Sequence, residues 1–299
     1  MPGESRREAG PGAFQQAHLS VVTGLRLADG RNVVVKARPG MARQHGCLEV
    51  QRHLWQAGFP CPQPLAGPAP LGALEAVAEA HVPGGTQLAP GPGYAGAFAA
   101  ALAGLIRLAP PVSAVPALEP PPPWCYWDHH EDGPWPWPDD MDADLNAQPG
   151  PAWLDDAAIR VRARLARCAE RPVVGHCDWE SQNIRWRGAR LHAVHDWDSV
   201  VSRPEGAIAG LAAAVFAAAG DPGDPGKHAT VAQGEQFLAA YERARGRPWT
   251  DDEREAAWAA GAWVTAFNAK KDTVGASRGG PPAQGLAAEL ADRLRRARA

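Results

Sequence analysis

Hydrophobic positions in this chain follow two periods. Leu19 to Leu27 and Asn32 to Ala37 are β-prone runs joined by Ala28-Asp29-Gly30-Arg31, a turn sequence, and predict a strand pair. From Met41 to Ala57 the spacing becomes helical, with Leu48, Gln51, Leu54 and Trp55 along one face. Prolines from Gly58 to Pro64 end that helix and impose an extended exit; Leu74 to His81 is then a strand, closed by Val82-Pro83-Gly84-Gly85. Beyond this point the pattern is helical. Tyr94 to Ala109 places Phe98, Leu102, Leu105 and Ile106 on one side, Asp155 to Ala169 predicts a second helix, and Pro204 to Ala219 an Ala-rich third. Thr230-x-x-Gln233 and Thr250-x-x-Glu253 have capping-box form and open two more; Leu286, Leu290 and Leu294 mark the last, with Arg293, Arg295, Arg296 and Arg298 expected on its solvated side.

One short hairpin interrupts the helical part. Ile184 to Trp186 and Leu191 to Val194 flank Gly188-Ala189, a turn for which glycine supplies positive φ. Pairing Arg187 with Arg190 sets Asn183 opposite Val194, two residues from Asp196, with Asp178 just upstream. An amide and a carboxylate at one sheet end, with a second carboxylate just upstream, suit phosphoryl transfer, where the protein acts by positioning and electrostatic stabilisation. Asp178 is placed to accept a hydroxyl proton, and Asn183 and Asp196 offer the hard oxygens that Mg²⁺ favours. Taken singly, each is equally explained as a turn cap or solvated loop end. The ordered set His176-x-Asp178-x-x-x-x-Asn183, hairpin, Asp196-Trp197-Asp198 is not.

That segment, Val173 to Ser199, resembles the catalytic core of the aminoglycoside phosphotransferase and choline kinase superfamily, small-molecule relatives of protein kinases. The resemblance implies an α+β, two-lobed protein-kinase-like fold: a small N-terminal β-sheet lobe over residues 1–84, a hinge near 79–85, and a larger, mostly helical catalytic and substrate-binding lobe over 85–299. It further implies Asp178 as catalytic base, Asn183 and Asp196 as metal ligands, His176 as a structural brace, and Asp198 at an acidic position frequent after the Asp-Trp pair. Lys36, ending the run Val33-Val34-Val35, would meet the nucleotide phosphates, with Glu49 of the following helix orienting it. Glu79, Ala80 and His81 would offer backbone groups to the base, and Gly10 to Phe14 would cover the phosphates. The cofactors implied are Mg²⁺ and ATP or GTP. This chain has Cys177 where the family more often has glycine, and Trp179-Glu180-Ser181-Gln182 where it has a smaller run, which leaves the acceptor open.

Composition adds limits. The 299 residues are enough for a sizeable core, and a net charge of −3 makes no electrostatic case for nucleic acid. Five scattered cysteines suggest neither zinc nor a disulfide framework. With no signal peptide or membrane-length apolar run, a cytoplasmic protein without a membrane partner is expected, as a monomer or homodimer.

Residues 110–156 stand apart. Trp124, Trp127, Trp135, Trp137 and Trp153 lie in a proline-rich tract, and no Lys or Arg occurs from Asp128 to Asp156. Carboxylates beside aromatic faces suit a cationic ligand through charge and cation–π attraction; a surface loop pinned by tryptophans explains the same residues. Candidate acceptor contacts are Trp127, Asp128, Asp132, Glu180 and Asp198; the resemblance adds Trp263 and Asp272 of the C-terminal helices, with core packing the stronger reading for Trp263. The expected activity is γ-phosphoryl transfer to a hydroxyl of a small cationic acceptor, an aminoglycoside-like antibiotic or an amino-containing metabolite. A choline, amino-alcohol, sugar or homoserine kinase is the nearest alternative, and a catalytically weak nucleotide-binding regulator the one of another class.

Overall fold

The computed structural model describes residues 15–17, 20–220, 228–274 and 285–299. A small antiparallel sheet near the N-terminus precedes a larger helical part. The sheet comprises β1 (Gln15–Ala17), β2 (Val21–Arg26), β3 (Asn32–Arg38), β4 (Pro64–Leu71) and β5 (Leu74–Ala80), in the order β1-β2-β3-β5-β4. The first expected strand, Leu19 to Leu27, forms as β2, and the short β1 ahead of it was not expected. Ala17 pairs with Val21, so only positions 18–20 separate β1 from β2. The segment Gly10 to Phe14, expected to cover phosphates, lies outside the described residues. Strand β4 was hidden by Pro64, Pro68 and Pro70, which remove ladder donors; it lies at the sheet edge, where that loss is tolerated.

Helix α1 (Gln44–Gln56) buries Cys47, Val50, Gln51 and Leu54, an i, i+3, i+4, i+7 stripe. Trp55, expected on this face, flanks the stripe and is 40% exposed.

The helical part contains α2 (Tyr94–Leu108), α3 (Ala152–Leu165), α4 (Glu205–Val215), α5 (Val231–Arg245), α6 (Asp251–Val274) and α7 (Leu286–Ala297). Both capping boxes form: Gln233 N donates to Thr230 Oγ1 at 3.2 Å, and Glu253 N to Thr250 Oγ1 at 3.2 Å. Helices α4 and α6 meet at Gly210, where an added Cβ would lie 1.9 Å from the Ala257 carbonyl oxygen. Only glycine allows that approach. Arg293 departs from its expected solvated place. It completes the buried stripe of α7 with Leu290, Leu294 and Ala297, packs against Trp258, and donates to the Ala229 carbonyl. Burial lowers its guanidinium to about 10.

Between sheet and helices lie two short ladders, β6 (Pro172–His176) with β9 (Val200–Pro204), and β7 (Ile184–Arg187) with β8 (Arg190–Val194). All five cysteines are free, and among the described residues no helix is long and apolar enough to cross a membrane.

Candidate active site

Strand β6 ends at His176 and delivers Asp178 to the cleft side of the sheet. His176 is fully buried, with its ring edge-on to Trp179 and Trp197 at 5.8 Å each. Its Nε2 lies 3.1 Å from the His195 carbonyl oxygen, and its Nδ1 accepts the Asp178 N–H at 3.3 Å. Both bonds are satisfied by the neutral Nε2–H tautomer. Burial lowers the imidazole to about 4, so it stays neutral. In this position His176 ties the 176–183 turn to the end of β8, its one ring proton committed to the His195 carbonyl.

Asn183 donates Nδ2–H to Asp178 Oδ2 at 2.6 Å and to the Asp178 carbonyl at 3.2 Å. Burial raises the Asp178 carboxyl well above the ordinary range, reinforced by Glu180 and Asp196 and opposed by the Asn183 hydrogen bond. The hairpin pairs Arg187 with Arg190, but Asn183 does not fall opposite Val194. A bulge between Arg185 and Trp186 shifts the ladder, so Val194 faces Ile184 and the Asn183 carbonyl accepts the His195 N–H at 2.8 Å. The bulged-out residue is His192, whose Nε2 lies 3.0 Å from the Pro83 carbonyl oxygen. Asp196 follows in the left-handed region, φ 66° and ψ 52°. For a non-glycine residue this costs about 1–3 kcal/mol, and such strain concentrates at functional sites.

Lys36 of β3 reaches this point from the opposite sheet. Its Nζ lies 3.5 Å from Glu79 Oε1 and 3.8 Å from Asp196 Oδ1. Burial lowers the ammonium's pKa, and the two carboxylates overcome that effect, leaving it raised. The expected Lys36–Glu49 pair does not form. Glu49 lies off the buried stripe of α1 and pairs with Arg52 one turn away. Two residues beyond Lys36, Arg38 pairs with Asp198, so Lys36 and Arg38 face Asp196 and Asp198 in parallel. Arg43 donates to the carbonyls of Asp198 and Val200, the latter at 2.9 Å. Sequence reasoning missed both arginines. The Lys-x-Arg and Asp-x-Asp spacings, each putting two charges on one side, were the available signal. A pocket lined by Lys36, Arg38, Gln51, Glu79, Trp197 and Asp198 opens to solvent here, with about 440 Å³ of space counting its open mouth.

The expected hinge contacts change as well. Ala80 N–H donates to Gln63 at 2.9 Å and His81 N–H to Asn32 at 3.1 Å, so neighbouring strands already use these groups. Glu79 faces the cleft by its side chain instead. His81 itself is exposed. The chain after β5 is tied to the hairpin by two Thr86–Trp186 backbone bonds of 3.0 and 2.8 Å.

The acceptor candidates separate. Trp127 is buried under Arg203, 5.3 Å from ring centroid to guanidinium carbon, and Asp128 pairs with the same arginine at 2.9 Å. Trp263 is core, fully buried, stacked on Phe267 and tilted against Trp135. These three are removed from an open cationic pocket. Asp132 and Asp272 are exposed, and Asp198 is engaged by Arg38. Glu180 remains beside Asp178, accepts from Gln182, and helps to raise the Asp178 carboxyl. Asp139 was not singled out from the sequence, yet it acts on both Asp178 and Arg38. Its residue is exposed, while its carboxyl is crowded by protein and raised by burial and by Asp140.

Among the described residues no group of three or more His, Cys, Asp or Glu is arranged as a metal site. The donors do fit a hard cation completed by phosphate and water oxygens. Asn183 makes both its side-chain bonds through Nδ2, which leaves Oδ1 as an acceptor, and its carbonyl bonds to His195, the residue before the Asp196 carboxylate.

The model of the Phosphotransferase enzyme family matches residues 24–258. The chain belongs to that family. It is a phosphotransferase, and the matched span contains Lys36, Asp178, Asn183 and Asp196. No curated protein matches the chain. Among solved structures, it is similar to a thermostable mutant of aminoglycoside phosphotransferase APH(4)-Ia, with 16% identity, TM-score 0.57, and 95% and 94% of the two chains covered. The amicoumacin kinase hAmiN, in complex with AMP-PNP, Ca²⁺ and amicoumacin, aligns with TM-score 0.63 at 10% identity, over 95% of this chain and 87% of that one. A choline/ethanolamine kinase family protein from Mesorhizobium loti aligns with TM-score 0.54 at 16% identity, over 97% and 87%. At such identities these likenesses establish the fold of the phosphotransferase family, not the acceptor.

Proposed function

We propose that this phosphotransferase moves the γ-phosphoryl group of ATP or GTP to a hydroxyl of a small amino-bearing acceptor, an aminoglycoside-like antibiotic or an amino-containing metabolite. The observation that carries the reading is the Asp178–Asn183 pair beside a strained Asp196 that meets Lys36 across the cleft. Asp178 takes the hydroxyl proton as the acceptor oxygen bonds to the γ-phosphorus and the bond to the nucleoside diphosphate breaks. A carboxylate with a raised pKa is a stronger base at neutral pH than an ordinary one. Lys36 holds phosphate oxygens, and Asn183 and Asp196 are the residues that would hold Mg²⁺, which supplies charge neutralisation to the phosphates when bound. His176 positions Asp178 through its backbone N–H.

We assign residues 1–84 to the nucleotide lobe and 85–299 to the catalytic and acceptor lobe. The acceptor's amino group finds carboxylates at Glu180 and Asp139, both of which already influence Asp178. The test is Mg²⁺-dependent nucleoside diphosphate release from ATP and GTP across aminoglycosides, choline, amino alcohols, homoserine and neutral sugars. Stimulation by amino-bearing acceptors supports the reading. Stimulation by neutral sugars alone removes the amino requirement, and nucleotide binding without turnover for any acceptor points to a regulatory protein instead.

A further inference from the structure

The strand lysine meets Asp196 across the cleft at 3.8 Å, and a buried ammonium also calls for a carboxylate from its own side of the cleft. The neighbouring helix is an obvious source, and α1 does offer a glutamate. That residue, Glu49, points away and pairs with Arg52. What α1 turns toward the sheet is Gln51, 3% exposed. Gln51 Nε2 lies 3.0 Å from Glu79 Oε2 and 3.0 Å from the Pro62 carbonyl oxygen, so both amide hydrogens have acceptors. Glu79, 5% exposed, stands 3.5 Å from Lys36.

Sheet register explains the contact. Lys36 is opposite Val77, and Val34 is opposite Glu79, so Lys36 and Glu79 are diagonal neighbours on one face of adjacent antiparallel strands. Diagonal pairs lie about 7–8 Å apart at the backbone, within reach of two long side chains. A partner on the adjacent strand keeps its distance to the lysine as long as the sheet exists, whereas a partner on a helix changes distance whenever the helix shifts. We infer that Glu79 is the residue that positions Lys36 toward nucleotide phosphates, with Gln51 orienting Glu79, so that the lysine takes its carboxylate from the sheet and α1 contributes only a neutral amide. This rests on the reading of Lys36 as a phosphate contact.

The experiment is calorimetric titration of the full chain with AMP-PNP and Mg²⁺, comparing wild type, Glu79→Gln and the exchange Gln51→Glu/Glu79→Gln, with melting curves to verify folding. Glu79→Gln should weaken binding about tenfold or more, as loss of a buried charge partner does. The exchange, which returns a carboxylate to the same side-chain pair from the helix side, should recover most of that loss. Wild-type affinity in Glu79→Gln overturns the inference. So does an exchange variant that melts like wild type yet binds no better than Glu79→Gln, since packing would then be the role of Glu79. A Glu49→Gln variant weakened more than Glu79→Gln would return the role to the helix. If wild type itself binds no nucleotide, the functional reading fails, and the inference with it.

Discussion

Two regions of this chain hold the same ingredients, and tertiary structure uses them differently. His176 to Ser199 and the tract from Trp124 to Asp156 both mix tryptophans with carboxylates. In the first, the tryptophans are buried and the carboxylates stay at the cleft, Asp178 held by an amide and Asp196 by a lysine from the other sheet. In the second, most carboxylates are engaged by the protein itself. Asp128 meets Arg203, Asp140 meets Lys271, and Asp155 accepts from Trp135 Nε1 at 2.6 Å and from Lys270 at 3.0 Å. A run without local counter-charges was not an uncompensated surface: its cations arrive from β9 and α6, far along the chain. Acidity in a sequence therefore marks a cation, and only the fold says whether the cation is a ligand or an arginine.

The contrast is most strongly tested at Asp178. Asp178→Asn should lower turnover by about 10²–10⁴-fold, the range for a general base, while nucleotide affinity changes little. Turnover within tenfold of wild type would remove the chemical role from this region. On the other side, Asp155→Ala strands Lys270, which is 1% exposed, and should cost about 3 kcal/mol in urea unfolding with turnover per folded molecule preserved. A loss of turnover without loss of stability would place Asp155 in the acceptor site after all.

Asp196→Ala should weaken Mg²⁺-dependent nucleotide binding by about ten- to a hundredfold, the size of a lost charge-assisted contact, while metal-free nucleotide binding moves less. Equal effects with and without Mg²⁺ would mean that Asp196 serves only to pair with Lys36.

The smallest effect belongs to Glu170, just before β6. Burial raises its carboxyl from 4.5 to about 7, with Glu253 and Glu205 adding to the rise. Folded protein then binds this proton more tightly than unfolded, so the stability it confers is full below pH 4.5 and lost as pH rises through 7. Glu170→Gln, which keeps an acceptor for the Gly206 N–H, should melt about 2–4 °C above wild type at pH 8 and with it at pH 4. A difference independent of pH would assign the effect to packing.

Much of the fold was legible because its signals are local. Thr230 and Thr250 cap within three residues, and Gly188-Ala189 joins strands that touch each other. Strand β4 was not legible, since three prolines erase strand character unless the strand is known to be an edge. The register around Asn183 was not legible either. The His192 bulge moves it by one residue, and the contact that accompanies the bulge lies at Pro83, on another part of the chain.

By itself the sequence determined which chemical groups stand near one another: the spacing of Asp178, Asn183 and Asp196 is set over a turn and a hairpin, within reach of local geometry. Tertiary structure decided the partners. It gave Lys36 the carboxylate of Glu79 in place of Glu49, and Asp198 the guanidinium of Arg38. It gave the acidic tract Arg203, Lys270 and Lys271. The reason is range. Helix phase and strand register turn a side chain toward or away from a cleft, and a buried charge takes whichever opposite charge the packed chain brings within a few ångströms.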